Sequence, residues 1–195
     1  MTNIDLMGIA ENFGKPVYVY DSEKIASQYK LLKSAFAGVT NLRINYATKA
    51  LSNLSILKFM RNLGAGLDTV SIQEVQLGLA AGFDPQAIIY TPNGVSLNEI
   101  EEVAKMGVQI NIDNLSLLEQ FGTRHPKTPV CIRINPHVMA GGNNNISVGH
   151  IDSKFGISIH QILQAYNLPM LNPDKALNFL ELLFLCRFQG SLLST

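Results

Sequence analysis

Six polar residues of this chain sit at the same place in its rhythm. Lys49, Asp68, Asn93, Asp113, Arg133 and Asn135 each fall at, or just after, the end of a short β-rich run. Lys49 closes the stretch NYATKA, residues 45–50. A primary amine there has two readings. It is a strand-end lysine reaching for water, or a nucleophile delivered into a pocket, where desolvation or a neighbouring cation frees it of its proton. Asp68 likewise either lines that pocket or caps the helix beginning at Ser71. Glu74, in the first turn of the same helix, sits where a carboxylate interacts favourably with the helix N-terminus. Arg133 lies inside the run CIRIN, and a guanidinium on a buried strand is costly unless paired. Cys131 and Cys186 are far apart and form neither a metal pattern nor a disulfide framework, and Cys131 reads as a small core residue. His137 and His150 read as exposed loop histidines without a catalytic role, and Lys154 as a loop residue.

The elements that must position these groups follow from the spacing of apolar runs. Strands are predicted at 17–20, 43–47, 66–70, 87–91, 108–112 and 129–135, with helices between them, the first starting near Ser22 as its cap. From the second strand on, the runs recur about every twenty residues. That alternation predicts right-handed βαβ units and a parallel sheet. A doubly wound nucleotide-binding sheet calls for a glycine-rich turn after an early strand, whereas the first two turns read YDSEK and ATKALSN. A barrel instead gathers polar strand ends around one pocket. The fold class expected is α/β, a partial (β/α)8 barrel of five to six units over residues 1–160, since a complete one takes roughly 250 residues.

Two segments break the rhythm. Residues 135–157 are long for a βα connection and rich in Gly and Asn, which predicts a lid. Residues 161–195 form an atypical tail, whose bunched Phe179, Leu180, Leu182, Leu183, Phe184 and Leu185 make a run hydrophobic all round. The tail reads as truncated or frameshifted relative to the design before it. Fifteen basic residues balance fifteen acidic ones without a basic block, which argues against nucleic acid or an anionic membrane surface as partner. Charged residues amount to only 15%, so part of the surface is expected to be covered. Asp5 and Glu11 interrupt any signal-peptide core, and no apolar stretch reaches membrane-spanning length, which predicts a cytoplasmic protein.

Three stretches, in consistent order, resemble one family. YATKA followed by NLSILK is similar to the Tyr-Ala-x-Lys-Ala segment of the alanine-racemase-like pyridoxal-phosphate enzymes. GAGLDTVSIQEVQLGLAAG resembles their next strand and helix, and RINPHVMAGG…ISVGHIDSKFGI their Arg-Ile-Asn-Pro … Ser-Lys-Phe-Gly-Ile stretch. Within that group the chain most resembles the diaminopimelate decarboxylase family. The resemblance implies pyridoxal 5'-phosphate as cofactor, a small amino acid as substrate, and a homodimer. It implies Lys49 as the catalytic attachment lysine, with Asp68 near the cofactor, Glu74 near its ring nitrogen and Arg133 beneath the ring.

Near competitors are ornithine- or arginine-type decarboxylases, with alanine racemase further off. A non-catalytic pyridoxal-phosphate homeostasis barrel is the reading from another class, and a degenerate remnant a third. The family's His-x-Gly-Ser segment, glycine-rich phosphate loop, Glu-Pro-Gly-Arg segment and C-terminal β-domain do not appear after Ile159. The expectation is therefore a fragment without decarboxylase activity of its own, and poorly soluble.

Overall fold

The computed structural model describes residues 5–137 and 154–166. In chain order these form α1 (Leu6–Phe13), α2 (Ser22–Ala35), β1 (Asn45–Ala47), α3 (Leu54–Asn62), β2 (Gly66–Thr69), α4 (Ile72–Ala80), β3 (Ile88–Tyr90), α5 (Leu97–Ala104), β4 (Gln109–Ile112), α6 (Leu115–Arg124), β5 (Cys131–Ile132), β6 (Ile134–Asn135), β7 (Ile157–Ser158) and α7 (Ile162–Tyr166). Strands β1 to β5 make one parallel sheet in the order β1-β2-β3-β4-β5. Each strand therefore neighbours its successor, and the order never reverses. A doubly wound sheet must reverse to place helices on both faces. Unbroken succession is the topology of a barrel wall, so the doubly wound alternative is excluded.

The helices begin where side chains satisfy their free amides. Asn53, Ser71, Ser96 and Asn114 each accept a hydrogen bond from the first turn of α3, α4, α5 and α6. The α2 cap is Asp21, whose carboxylate accepts from the Lys24 amide, rather than Ser22, which is the first helical residue. Gly64 and Gly82 follow α3 and α4 at φ +88° and +85°, the left-handed conformation that closes a helix.

The period of two along the strands sorts their side chains onto two faces. Leu67, Ile88, Tyr90, Ile110, Ile112 and Ile132 face the helices and pack with Leu57, Val75, Ile100, Val103, Leu118 and Phe121 in the main core. Each such aliphatic or aromatic side chain, taken wholly from water, contributes about 1.5–3 kcal/mol. The packing is close: a Cβ on Gly78 of α4 would lie 2.5 Å from Leu67 Cδ2 and 3.1 Å from Ile88 Cδ1. A smaller cluster of Tyr29, Met60 and Ala65 seats α2 on α3.

The opposite face carries Asp68, Ile89, Thr91, Asn111, Asp113, Cys131 and Arg133, and it turns polar toward the C-terminal strand ends. Residue parity and register place them there: Asp68 pairs with Ile89, and Asn111 with Cys131.

Three sequence expectations need correction. Residues 17–20 form no strand; they run outside the sheet with Val17, Tyr18 and Tyr20 exposed. The run at 129–135 is not one strand but two, β5 and β6, separated at Arg133. And the chain past the loop adds a parallel strand of its own, with β7 pairing β6 through Ile134–Ile157 and Asn135–Ser158. Of the tail, residues 161–166 are described and include α7; 167–195 lie outside the described residues, as do 138–153 of the expected lid and His150. Among the described residues, no helix is long and apolar enough to cross a membrane.

Candidate active site

Lys49 sits in a single 3-10 turn, Thr48–Ala50, that continues directly from β1. Its side chain is exposed, while its neighbour Thr48 is wholly buried with a hydroxyl that meets no partner. One strand along, Asp68 is half-buried on the polar face. Thr91 Oγ1 donates to Asp68 Oδ1 at 3.1 Å, and Asn111 Nδ2 donates to Thr91 Oγ1 at 3.0 Å. Burial pushes the Asp68 carboxyl above its ordinary range. The Thr91 hydrogen bond and the charges of Lys49 and Arg133 oppose that push, and Glu74 adds to it. Lys49, Asp68 and Arg133 thus feel one another across three strand ends.

Arg133 is 9% exposed. Its amide donates to Ile112 O at 2.9 Å and its carbonyl accepts from the Ile157 amide at 2.8 Å, so one residue hands the ladder from β4 to β7. That change of partner is what splits the strand. Burial lowers the affinity of the guanidinium for its proton, offset by Asp113 and Asp68. The Phe155 ring covers the guanidinium, with Cζ 4.7 Å from the ring centre, a cation–π contact. Asn93 Nδ2 bridges Asp113 Oδ2 at 2.9 Å and Lys154 O at 3.3 Å, fastening residues 154–158 across the strand ends. Gly156 makes the approach feasible: at φ +83°, a Cβ there would lie 2.8 Å from Asn135 N and 2.9 Å from Ile134 C.

Five of the six strand-end residues therefore converge through stated interactions: Lys49, Asp68, Asn93, Asp113 and Arg133. Asn135 is buried, and its Oδ1 accepts from the His137 amide at 3.0 Å. The helix cap considered for Asp68 is supplied by Ser71 instead. Glu74 is turned to the helix end: its Oε2 accepts from the Val70 amide at 2.7 Å while its own amide donates to Ser71 Oγ at 3.3 Å, a variant of the capping box shifted by one residue. Glu99 starts α5 in the same manner but spends its carboxylate more widely. Its Oε1 accepts from Tyr90 Oη at 2.7 Å and from the Ile72 amide at 3.3 Å, tying α5 to β3 and α4. His137, read as an exposed loop residue, is half-buried against the His160 ring at 5.2 Å, with its Nδ1 unpartnered.

Sequence reasoning passed over Thr91, Asn111, Thr48 and Phe155. Asn111 did carry a signal, as an amide in the middle of the apolar run VQINI. Among the described residues no group of three or more His, Cys, Asp or Glu is placed to hold a metal ion.

The site is a parallel barrel wall that presents the exposed Lys49 beside the half-buried Asp68 carboxyl and the covered Arg133 guanidinium. Comparison with known proteins shows which class of protein carries it. Residues 22–174 match the family model described as pyridoxal-dependent decarboxylase, pyridoxal binding domain, and the chain belongs to that family. A diaminopimelate decarboxylase of Methanothermobacter thermautotrophicus is 34% identical over 168 residues, 85% of this chain and 39% of that protein. The crystal structure of diaminopimelate decarboxylase from Helicobacter pylori complexed with L-lysine superposes with a TM-score of 0.76 at 34% identity, over 83% of this chain and 42% of that one. Lysine/ornithine decarboxylase complexed with putrescine from Vibrio vulnificus gives 0.67 at 25% identity, over 82% and 39%. The chain spans about two-fifths of the length of the curated relatives it matches.

Proposed function

We propose that this chain carries the cofactor-attachment half of a pyridoxal-phosphate-dependent amino-acid decarboxylase, with meso-diaminopimelate as the substrate class. The observation that carries the reading is the convergence of Lys49, Asp68 and Arg133 at the C-terminal end of a consecutive parallel sheet. The residues fit the group. An exposed primary amine suits covalent capture of an aldehyde, and Arg133 supplies a fixed positive charge for the anionic substituents of the cofactor. The unpartnered Thr48 hydroxyl beside Lys49 leaves a buried donor free for a polar substituent.

Such a cofactor, when bound, supplies an electron sink for the pair left behind as carbon dioxide departs. The chain's own contributions are different. Lys49 would hold the cofactor through its amine. Asp68, fixed by Thr91, places a carboxyl group near Lys49. Arg133, held against the Phe155 ring and balanced by Asp113, would fix orientation. Glu74 acts on Asp68 through charge and by shaping the turn that carries it. Residues 154–158, anchored by Asn93, roof the strand ends and keep water from one side.

Diaminopimelate is favoured over ornithine or arginine because relatives at 32–37% identity bear that name, against 25% for the lysine/ornithine enzyme. The test is capture of pyridoxal 5'-phosphate by the chain, read by absorbance against a Lys49→Ala control, followed by competition. meso-Diaminopimelate should displace Lys49 at lower concentration than L-ornithine or L-arginine. Equal capture by Lys49→Ala, or displacement by all three alike, refutes the reading.

A further inference from the structure

Thr91, the residue after β3, and Asn111, on β4, contact neither Lys49 nor Arg133 through any hydrogen bond described above, and are 6% and 0% exposed. Polar groups buried this deeply are kept for a reason, since each costs free energy unless paired. Their pairing is directional. Thr91 has one proton and stands between two groups. Asn111 Nδ2 already donates to its oxygen, so the single Thr91 proton goes to Asp68 Oδ1. The two hydrogen bonds can run in either of two directions. In one, the Asn111 amide donates to Thr91 and Thr91 donates to Asp68, whose Oδ1 is the acceptor, as in a carboxylate. In the other, Asp68 is a carboxylic acid donating to Thr91, and Thr91 donates to a reversed Asn111 amide. The first leaves one acceptor, Asn111 Oδ1, without a partner. The second leaves an NH2 group with two donors unpartnered, which is the costlier arrangement.

We infer that the Asn111–Thr91 relay is a positioning device that keeps Asp68 an ionised acceptor facing Lys49, and that Thr91 and Asn111 serve the proposed cofactor capture through Asp68 rather than by contact. The inference deepens the reading of Lys49 as attachment residue and rests on it for its purpose, though not for its geometry. The charged and titratable groups facing Asp68 are Lys49 from the turn after β1, Glu74 from α4 and Arg133 from between β5 and β6, with Asp113 at the end of β4 opposing Arg133. Lys49 and Arg133 favour the carboxylate, Glu74 and burial oppose it, and the relay contributes the one hydrogen bond to it that is described here.

The experiment is a pH titration of the Asp68 side-chain carbon by NMR in the unliganded 195-residue chain. In the unmodified protein that carbon should resonate as a carboxylate at pH 7; a carboxylic acid signal there overturns the inference without any variant. Thr91→Val, which keeps the shape and removes the hydroxyl, should raise the proton affinity of Asp68 at least about tenfold, because a hydrogen bond to a charged acceptor is lost. Thr91→Ser should restore it. An Asp68 titration unmoved by Thr91→Val, or moved equally by Thr91→Ser, shows Thr91 to be packing alone. Borohydride labelling of Lys49 by pyridoxal 5'-phosphate is followed in parallel. Labelling that persists while Asp68 does not respond sinks the relay and leaves the attachment reading intact. A shifted Asp68 with no labelling of Lys49 does the reverse.

Discussion

Gly156→Ala should loosen the roof of the site far more than its size suggests, and two other glycines calibrate the effect. Gly156 sits at φ +83° between the Phe155 ring and β7. Forcing an L-residue into that region costs about 1–2 kcal/mol. The added methyl meets backbone, Asn135 N at 2.8 Å and Ile134 C at 2.9 Å, neither of which can swing aside as a side chain does. Moving β6 and β7 apart to relieve it stretches the bond from the Ile157 amide to Arg133 O, now 2.8 Å. Overpacking of this kind adds about 1–2 kcal/mol.

The sum, about 2–4 kcal/mol, corresponds to a loss of hydrogen-exchange protection at the Ile157 amide between roughly thirty- and seven-hundredfold. Gly64→Ala carries the same backbone penalty at φ +88° with open space around the Cβ, so it should cost only about 1–2 kcal/mol. Gly38→Ala has neither penalty and should stay within about 0.5 kcal/mol. Denaturant unfolding by circular dichroism together with amide exchange reads all three. Ile157 protection unchanged in Gly156→Ala, or a Gly64→Ala cost equal to that of Gly156→Ala, would refute the close-approach argument.

Three further outcomes are open to measurement. Asp68→Asn should raise the melting temperature of the unliganded chain at pH 7 while weakening cofactor capture. Because burial raises the Asp68 carboxyl above its unfolded value, the ionised form burdens the fold, so the gain should appear as pH rises above the unfolded carboxyl range near ~4 and vanish below it; a gain that grows toward acid contradicts this. Tyr90→Phe should cost about 1–2 kcal/mol, since Glu99 loses a charge-assisted partner at 2.7 Å in a part-buried setting; unfolding unchanged in denaturant would show the bond to be idle. Glu74→Gln keeps an acceptor for the Val70 amide and should hold both stability within about 0.5 kcal/mol and cofactor capture near that of the parent, whereas a collapse of capture with stability intact would restore the ring-nitrogen role that the resemblance implies for Glu74.

What the sequence discloses and what it hides divide along a physical line. Strand ends that stop on Lys49, Asp68, Asp113 and Arg133 are visible because a period of about twenty residues, read with apolar runs and Ser or Asn caps, fixes where each strand delivers its last side chain. The barrel, too, is legible from the absence of a glycine-rich first turn, and the consecutive strand order agrees with it. Lateral contacts are another matter. Thr91 meets Asp68 and Asn111 only because the parallel register brings those positions side by side, and no spacing along one strand encodes its neighbour's register. Residues 17–20 show the opposite failure: VYVY has the composition of a strand, but a strand exists only where a neighbour completes its hydrogen bonds, and the described sheet begins at β1. The division at Arg133 was hidden for a related reason, since it arises from a switch of ladder partner rather than from any glycine or proline in CIRIN. β7 is two residues long, below what any periodicity can register.

The most direct test of the account is the identity of the modified lysine. The 195-residue chain, saturated with pyridoxal 5'-phosphate and reduced with borohydride, is digested and its peptides mapped by mass spectrometry. The account predicts the phosphopyridoxyl mass on the peptide containing Lys49, at near one equivalent per chain and at least tenfold above any other lysine. Modification spread evenly over Lys58, Lys105 and other exposed lysines, or unchanged in total when Lys49 is replaced by alanine, would contradict it.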